Sequence, residues 1–139
     1  MELNKEELPH IIMGACMEVH KNLGNAMDLA AYKDCLAVEF RMREIFFKRD
    51  HDLTFEYKGY RVESSATIDF IVEDLVMISI LTVERLEQVH RHQLAAHLRL
   101  SGLETGLLVN FRAEKLRDGF KRLIVATDEV QSQQPESGE

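Results

Sequence analysis

The chain has 139 residues, of which 45% are hydrophobic and 29% charged, and a formal net charge of −7. That length suits one domain with one real core, and no apolar run approaches the roughly 18–20 residues needed to span a bilayer. The acidic balance opposes a general affinity for nucleic acid, which rests on neutralising phosphates.

A local basic face is still compatible with that total. Lys115, Arg117, Lys121 and Arg122 form one cluster, and Arg41, Arg43, Lys48 and Arg49 another; a solvated face is the first reading of each. The opening M-E-L-N-K-E-E-L is acidic and lacks the basic and apolar regions of a signal peptide, so a cytoplasmic location is expected. Cys16 and Cys35 sit among apolar neighbours in helix-like segments and read as reduced thiols. They lack companions at metal-ligand spacing.

Apolar residues at Leu8, Ile11, Ile12, Ala15, Cys16, Val19 and Leu23 predict a helix over Glu6 to Leu23. Asn4 is its N-cap, with Glu7 three residues on, and Gly24-Asn25 its stop. A second helix is expected from about Met27 to Phe47. The period then changes to two. Leu53 to Tyr57 and Tyr60 to Ser64 alternate around Lys58-Gly59, a hairpin signal. Thr67 to Val72 and Leu75 to Val83 follow as two strands joined by a tight Glu73-Asp74 turn; the second is nearly all apolar, as a central strand is. Glu87 to Leu100 reads as a helix stopped at Ser101-Gly102. Thr105 to Phe111 and Phe120 to Ala126 read as further strands. This order predicts an α/β or α+β layer fold with a mixed sheet, one domain over residues 1–126, and a disordered polar tail over 127–139.

Several blocks together resemble the GxxExxY protein family, a branch of the PD-(D/E)XK nuclease-like superfamily. They are I-I-M-G-A-C-M-E-V-H-K-N-L-G, I-D-F-I-V-E-D, V-E-R-L-E-Q-V-H-R-H-Q-L, L-R-L-S-G-L-E-T-G-L-L-V-N-F and L-R-D-G-F-K-R-L-I-V. The resemblance covers about Leu8 to Val125. It implies a restriction-endonuclease-like core, a mixed sheet flanked by helices, and a prokaryotic source. It also implies a site, and here the chain departs from the pattern. The naming motif falls on Ala26, Leu29 and Tyr32. The acidic strand keeps Asp69, but the Glu-x-Lys strand reads Ser79-Ile80-Leu81. The helix that would carry Gln and then Tyr keeps Gln93 and has His97.

Hydrolysis in this superfamily is expected to use Mg²⁺ or Mn²⁺, which polarises the phosphoryl group and helps make hydroxide. Mg²⁺ demands hard oxygen ligands. Asp69 gives one carboxylate and Ser79 a neutral hydroxyl; Leu29 and Leu81 give nothing. Asp28 is rotated from Leu29 by about 100°. Glu73 and Asp74 lie roughly 13–17 Å from Asp69 along an extended strand. Glu84 lies beyond the strand. Asp69 is therefore expected as a hydrogen-bond acceptor for Tyr32, Ser79, Gln93 or His97, with Leu29 and Leu81 filling the old site. Among His90, His92 and His97, only Asp69 with His97 merits a check as a metal pair.

The expected function is a catalytically inactive nuclease-fold protein that works through protein binding or homo-oligomeric assembly, needs no cofactor and has no membrane partner. Exposed Met42 and Phe46 or Phe47 would favour it. The alternatives are nucleic-acid binding without cleavage, and a metal-dependent nuclease with a displaced site, in which Asp69 and at least two other acids or histidines converge.

Overall fold

The computed structural model describes residue 4 and residues 6–126. The expected tail over 127–139 lies outside the described residues. Five strands form one sheet in the order β1-β2-β3-β4-β5: β1 Phe47–Tyr57, β2 Tyr60–Val72, β3 Val76–Leu81, β4 Thr105–Asn110 and β5 Phe120–Ile124. All neighbours are antiparallel except β3 and β4, which are parallel. The helices are α1 Leu8–Leu23, α2 Leu29–Met42 and α3 Gln88–Ser101, and a short 3-10 turn spans Leu116–Gly119. None of the described helices is long and apolar enough to cross a membrane.

Strand periodicity divides the core between the two faces. Val76, Ile78 and Ile80 of β3, with Leu107 and Val109 of β4, pack under α1 and α2 against Ile12, Cys16, Leu36 and Phe40. Met77 and Leu108 point the other way, onto Leu94 and Leu98 of α3. This is the α/β mixed sheet flanked by helices that the element order predicted.

Three boundaries differ from expectation. The second helix ends at Met42, and Phe47 opens β1. Ile45 N–H reaches the Phe40 carbonyl at 2.9 Å, Glu44 N–H the Arg41 carbonyl at 3.0 Å, and Glu44 has φ +59. That is a Schellman ending with glutamate where glycine is usual, which hid it from the sequence. The two strands expected around Ser64 and Thr67 are one strand. The register shifts between Asp52 and Thr54, and Ser64 Oγ bridges the irregularity, donating to the Leu53 carbonyl and accepting from Ala66 N–H. Asn4 Oδ1 accepts from Glu6 and Glu7 N–H and braces the turn ahead of α1, but the helix starts at Leu8 with Glu7 as its N-cap and no side-chain cap bond, so neither the expected Asn4 cap nor the capping box forms.

The Glu73-Asp74 turn is as read. Both residues have φ +55 and form the centre of a tight turn closed by Leu75 N–H on the Val72 carbonyl at 2.9 Å, with Leu75 a third loop residue because Val72 pairs with Val76. Phe46 backbone pins it, exchanging hydrogen bonds with Glu73 N–H and with the Glu73 carboxylate, both at 2.9 Å.

Helix α3 sits close to β4 because Gly106 has no side chain. A Cβ there would meet Leu94 and Leu98 methyls at 2.9 Å. We predict that Gly106→Val destabilises the fold by about 1–3 kcal/mol, the usual cost of overpacking, read as a lowered urea midpoint. An unchanged midpoint would show that α3 is free to lift away.

Candidate functional site

Odd-numbered residues of β3 face α3, and Gln93 and His97 lie one helical turn apart on that helix. The consequence is a cleft of about 180 Å³ lined by Asp69, Ser79, Leu81, Gln93 and His97, with Thr67, Met77 and Leu94 among its walls. Five residues singled out in the sequence thus meet at one place. His97 is half-buried, and that burial lowers its pKa, which favours the neutral imidazole.

Asp69 occupies the point where β2 and β3 part. Their ladder runs through Phe70↔Ile78, and one step further Asp69 is level with Ser79. There the carboxylate takes over from the backbone: Oδ2 accepts from Ile80 N–H at 2.7 Å. Oδ1 faces the ammonium of Lys33, from α2, at 3.1 Å. The same ammonium donates to Asp50 Oδ1 of β1 at 2.5 Å. Asp50, at φ +52, lies opposite Asp69 between the pairs Arg49↔Phe70 and His51↔Ile68. Two carboxylates directly across a strand pair repel, and Lys33 resolves the conflict. Its side chain is only 13% exposed. Burial opposes its charge, but Asp50 and Asp69 together outweigh that and raise its pKa. The hydrogen bond from Lys33 is in turn the main reason that the Asp50 pKa is lowered.

Two expectations fail. Tyr32 is fully buried in the core, stacked on Phe111 with ring centroids 4.4 Å apart. Its hydroxyl donates to the Gly24 carbonyl at 2.6 Å and accepts from Met27 N–H at 3.2 Å. It clasps the α1–α2 loop and does not reach Asp69, whose charged partner is Lys33. Leu29 is 39% exposed at the start of α2 and fills nothing; Leu81 does line the cleft. Sequence reading missed Lys33, which stands beside Tyr32 and interrupts an otherwise apolar helix face. It missed Asp50 too, which carries no motif.

Other candidates are accounted for. His90 Nδ1 accepts from Glu87 N–H at 2.9 Å and completes the cap of α3, so that ring is structural. In the basic cluster of α2 and β1, Arg43 pairs with Glu39, Lys48 with Asp74, and Arg49 with Asp34, while Arg41 lies over the Phe47 ring. Lys115 and Arg117 of the other, C-terminal cluster line a separate cleft with Lys21, His20, Met17 and Leu116. Cys16 is buried, which pushes its thiol pKa well up, and both cysteines are free.

The donor set does not fit a divalent ion. Among the described residues no three His, Cys, Asp or Glu side chains come together as a metal group. Asp69 is the single carboxylate on the cleft, and both its oxygens already serve Lys33 and Ile80. Asp69 with His97 gives two ligands where Mg²⁺ wants an octahedron.

A family model described as the PD-(D/E)XK nuclease superfamily matches residues 6–123. No curated protein and no solved structure matches the chain. The mixed sheet and its three helices agree with the restriction-endonuclease-like fold of that family.

The pKa directions fix a pH test. Lys33, raised, contributes stability that is present below lysine's ordinary pKa and lost as pH rises through the folded value. Asp50, lowered, contributes stability that is present above the ordinary carboxylate range and lost as pH falls through the folded value. We expect Lys33→Met to cost about 1–2 kcal/mol at pH 7, between exposed and buried pairs because Asp50 is half exposed. Urea titrations of both proteins should show that difference shrinking below about pH 4 and above about pH 11. A difference constant across pH would mean that Lys33 acts only through packing.

Proposed function

The chain belongs to the PD-(D/E)XK nuclease superfamily, and we propose that it is a catalytically silent member of the GxxExxY branch that acts by binding protein, first of all a second copy of itself. One observation carries the silent half of this reading: the carboxylate that the family pattern aligns with metal binding, Asp69, is held by Lys33 and Ile80 N–H. The neighbouring positions are Ser79 and Leu81, a neutral hydroxyl and an alkyl chain. Neither supplies the charge that a metal or a phosphoryl transition state needs.

The assembly half rests on α2. Val38 and Met42 are one turn apart on its outer side, 48% and 72% exposed, and Phe46 just past the helix is 53% exposed. Apolar side chains left in water near one another are the usual mark of an interface, and identical chains most often close such a surface by two-fold symmetry. The reading places the protein in a prokaryotic cytoplasm, with no cofactor.

A second reading, nucleic-acid binding without cleavage, is favoured by one feature. Lys21, Lys115 and Arg117 border one cleft, with no acid among its lining residues. Binding there would weaken steeply with salt, and Lys115→Glu would abolish it.

Light scattering and a Mg²⁺/Mn²⁺ cleavage assay on the same sample test the main proposal. We expect a discrete oligomer, no cleavage of DNA or RNA, and a shift to monomer in Met42→Lys without loss of melting temperature. Metal-dependent cutting that disappears in Asp69→Ala would sink the silent reading; a monomeric wild type would sink the assembly reading.

A further inference from the structure

We infer that the Lys33 ammonium is a built-in cation, seated between Asp50 and Asp69 where a divalent ion would otherwise bind, and that this side chain is what closes the site to metal. The inference deepens the silent-site reading, since it names the residue responsible. It does not depend on assembly.

The geometry is that of a bridged cation. One nitrogen stands 2.5 Å from Asp50 Oδ1 and 3.1 Å from Asp69 Oδ1. The two oxygens can therefore be no farther apart than those contacts laid end to end. Two carboxylate oxygens on one Ca²⁺, each at about 2.3–2.6 Å, or on Mn²⁺ slightly closer, need a similar or shorter separation. Asp50 is the adjustable partner: its side chain is 52% exposed, against 21% for Asp69. Water can complete the shell of an ion held by the two aspartates.

The tether explains why lysine wins. The stem of Lys33 is covered, and its head is delivered by α2 at a high effective concentration. A free ion would have to displace it and leave an ammonium largely covered and unpaired, which is costly. The remaining charges near the pair are cationic and acidic in turn: Arg49 Nε lies 3.3 Å from Asp50 Oδ2, and Arg49 Nη2 lies 2.7 Å from Asp34. Arg49 Nε thus lies beside the far oxygen of Asp50 as an ion pair without a well-formed hydrogen bond, and Oδ1 is left to Lys33. Removing Lys33 frees one oxygen on each aspartate, facing each other with no counter-charge between them.

The test uses the full chain, with Lys33→Gln and Lys33→Met as variants and Mn²⁺ as the probe. Binding is followed by electron paramagnetic resonance, and Ca²⁺ and Mn²⁺ thermal shifts are run in parallel. Wild type should show no saturable Mn²⁺ binding in the millimolar range. Each variant should bind one ion at least tenfold more tightly than wild type and melt higher with the ion than without. Adding Asp50→Asn to Lys33→Gln should remove both effects. A variant that is unfolded alone but folds with Mn²⁺ or Ca²⁺ also supports the inference. Equal binding by wild type and variants overturns it, as do variants that neither bind nor are rescued by either ion. Cleavage by the wild type would overturn the silent-site reading while leaving these binding results to be judged separately.

Discussion

Where β2 and β3 separate, a backbone donor is left facing a gap, and the Asp69 carboxylate fills it. The bond from Ile80 N–H to Asp69 Oδ2 continues the ladder beyond Phe70↔Ile78 with a side chain in place of a carbonyl. A carboxylate so placed needs a counter-charge, and its opposite number across β1 and β2 is another acid, Asp50. Lys33 answers both from a helix on a different part of the chain. The junction therefore ties α2 to the first two strands through charge, while α1 and α2 hold the sheet through apolar packing.

This one junction separates the two sides of the molecule. Toward α3, the parting strands open the cleft that gathers Ser79, Gln93 and His97. Toward α2, Arg49 of β1 is engaged by Asp34 of the helix, and on the α3 side Lys48 of β1 is engaged by Asp74. Those residues read in the sequence first as a solvated basic face. Paired as they are, they present little free positive charge, which accords with the net charge of −7. The apolar side chains of α2 left in solvent, Val38 and Met42, lie outside this ion-pair network.

Buried side chains of loop-bracing type complete the frame. Asn110 is buried and mimics a strand partner: its amide donates to the Val83 carbonyl at 2.8 Å and its oxygen accepts from Val83 N–H at 3.0 Å. Tyr32 does the same for the loop before α2, through Gly24 and Met27. Each satisfies backbone groups that an irregular segment would otherwise leave unpaired. Tyr32 is thus a structural clasp in this chain.

The sequence by itself determined the elements, because their cues are local. Helical spacing marked α1, the continuous apolar run marked β3 as a central strand, and Glu73-Asp74 and Lys58-Gly59 marked tight turns. It also determined that Leu29 and Leu81 bring no metal-ligating or charged group, since an alkyl side chain carries none wherever it lies. Tertiary structure alone decided which charges surround Asp69. Lys33 and Asp69 are far apart in sequence, and only the packing of α2 beside the parted strands brings them to 3.1 Å. The facing of Asp50 and Asp69 depends on register, which a bulge between Asp52 and Thr54 resets. Charge pairing follows from three-dimensional proximity, and no periodicity along the chain encodes it.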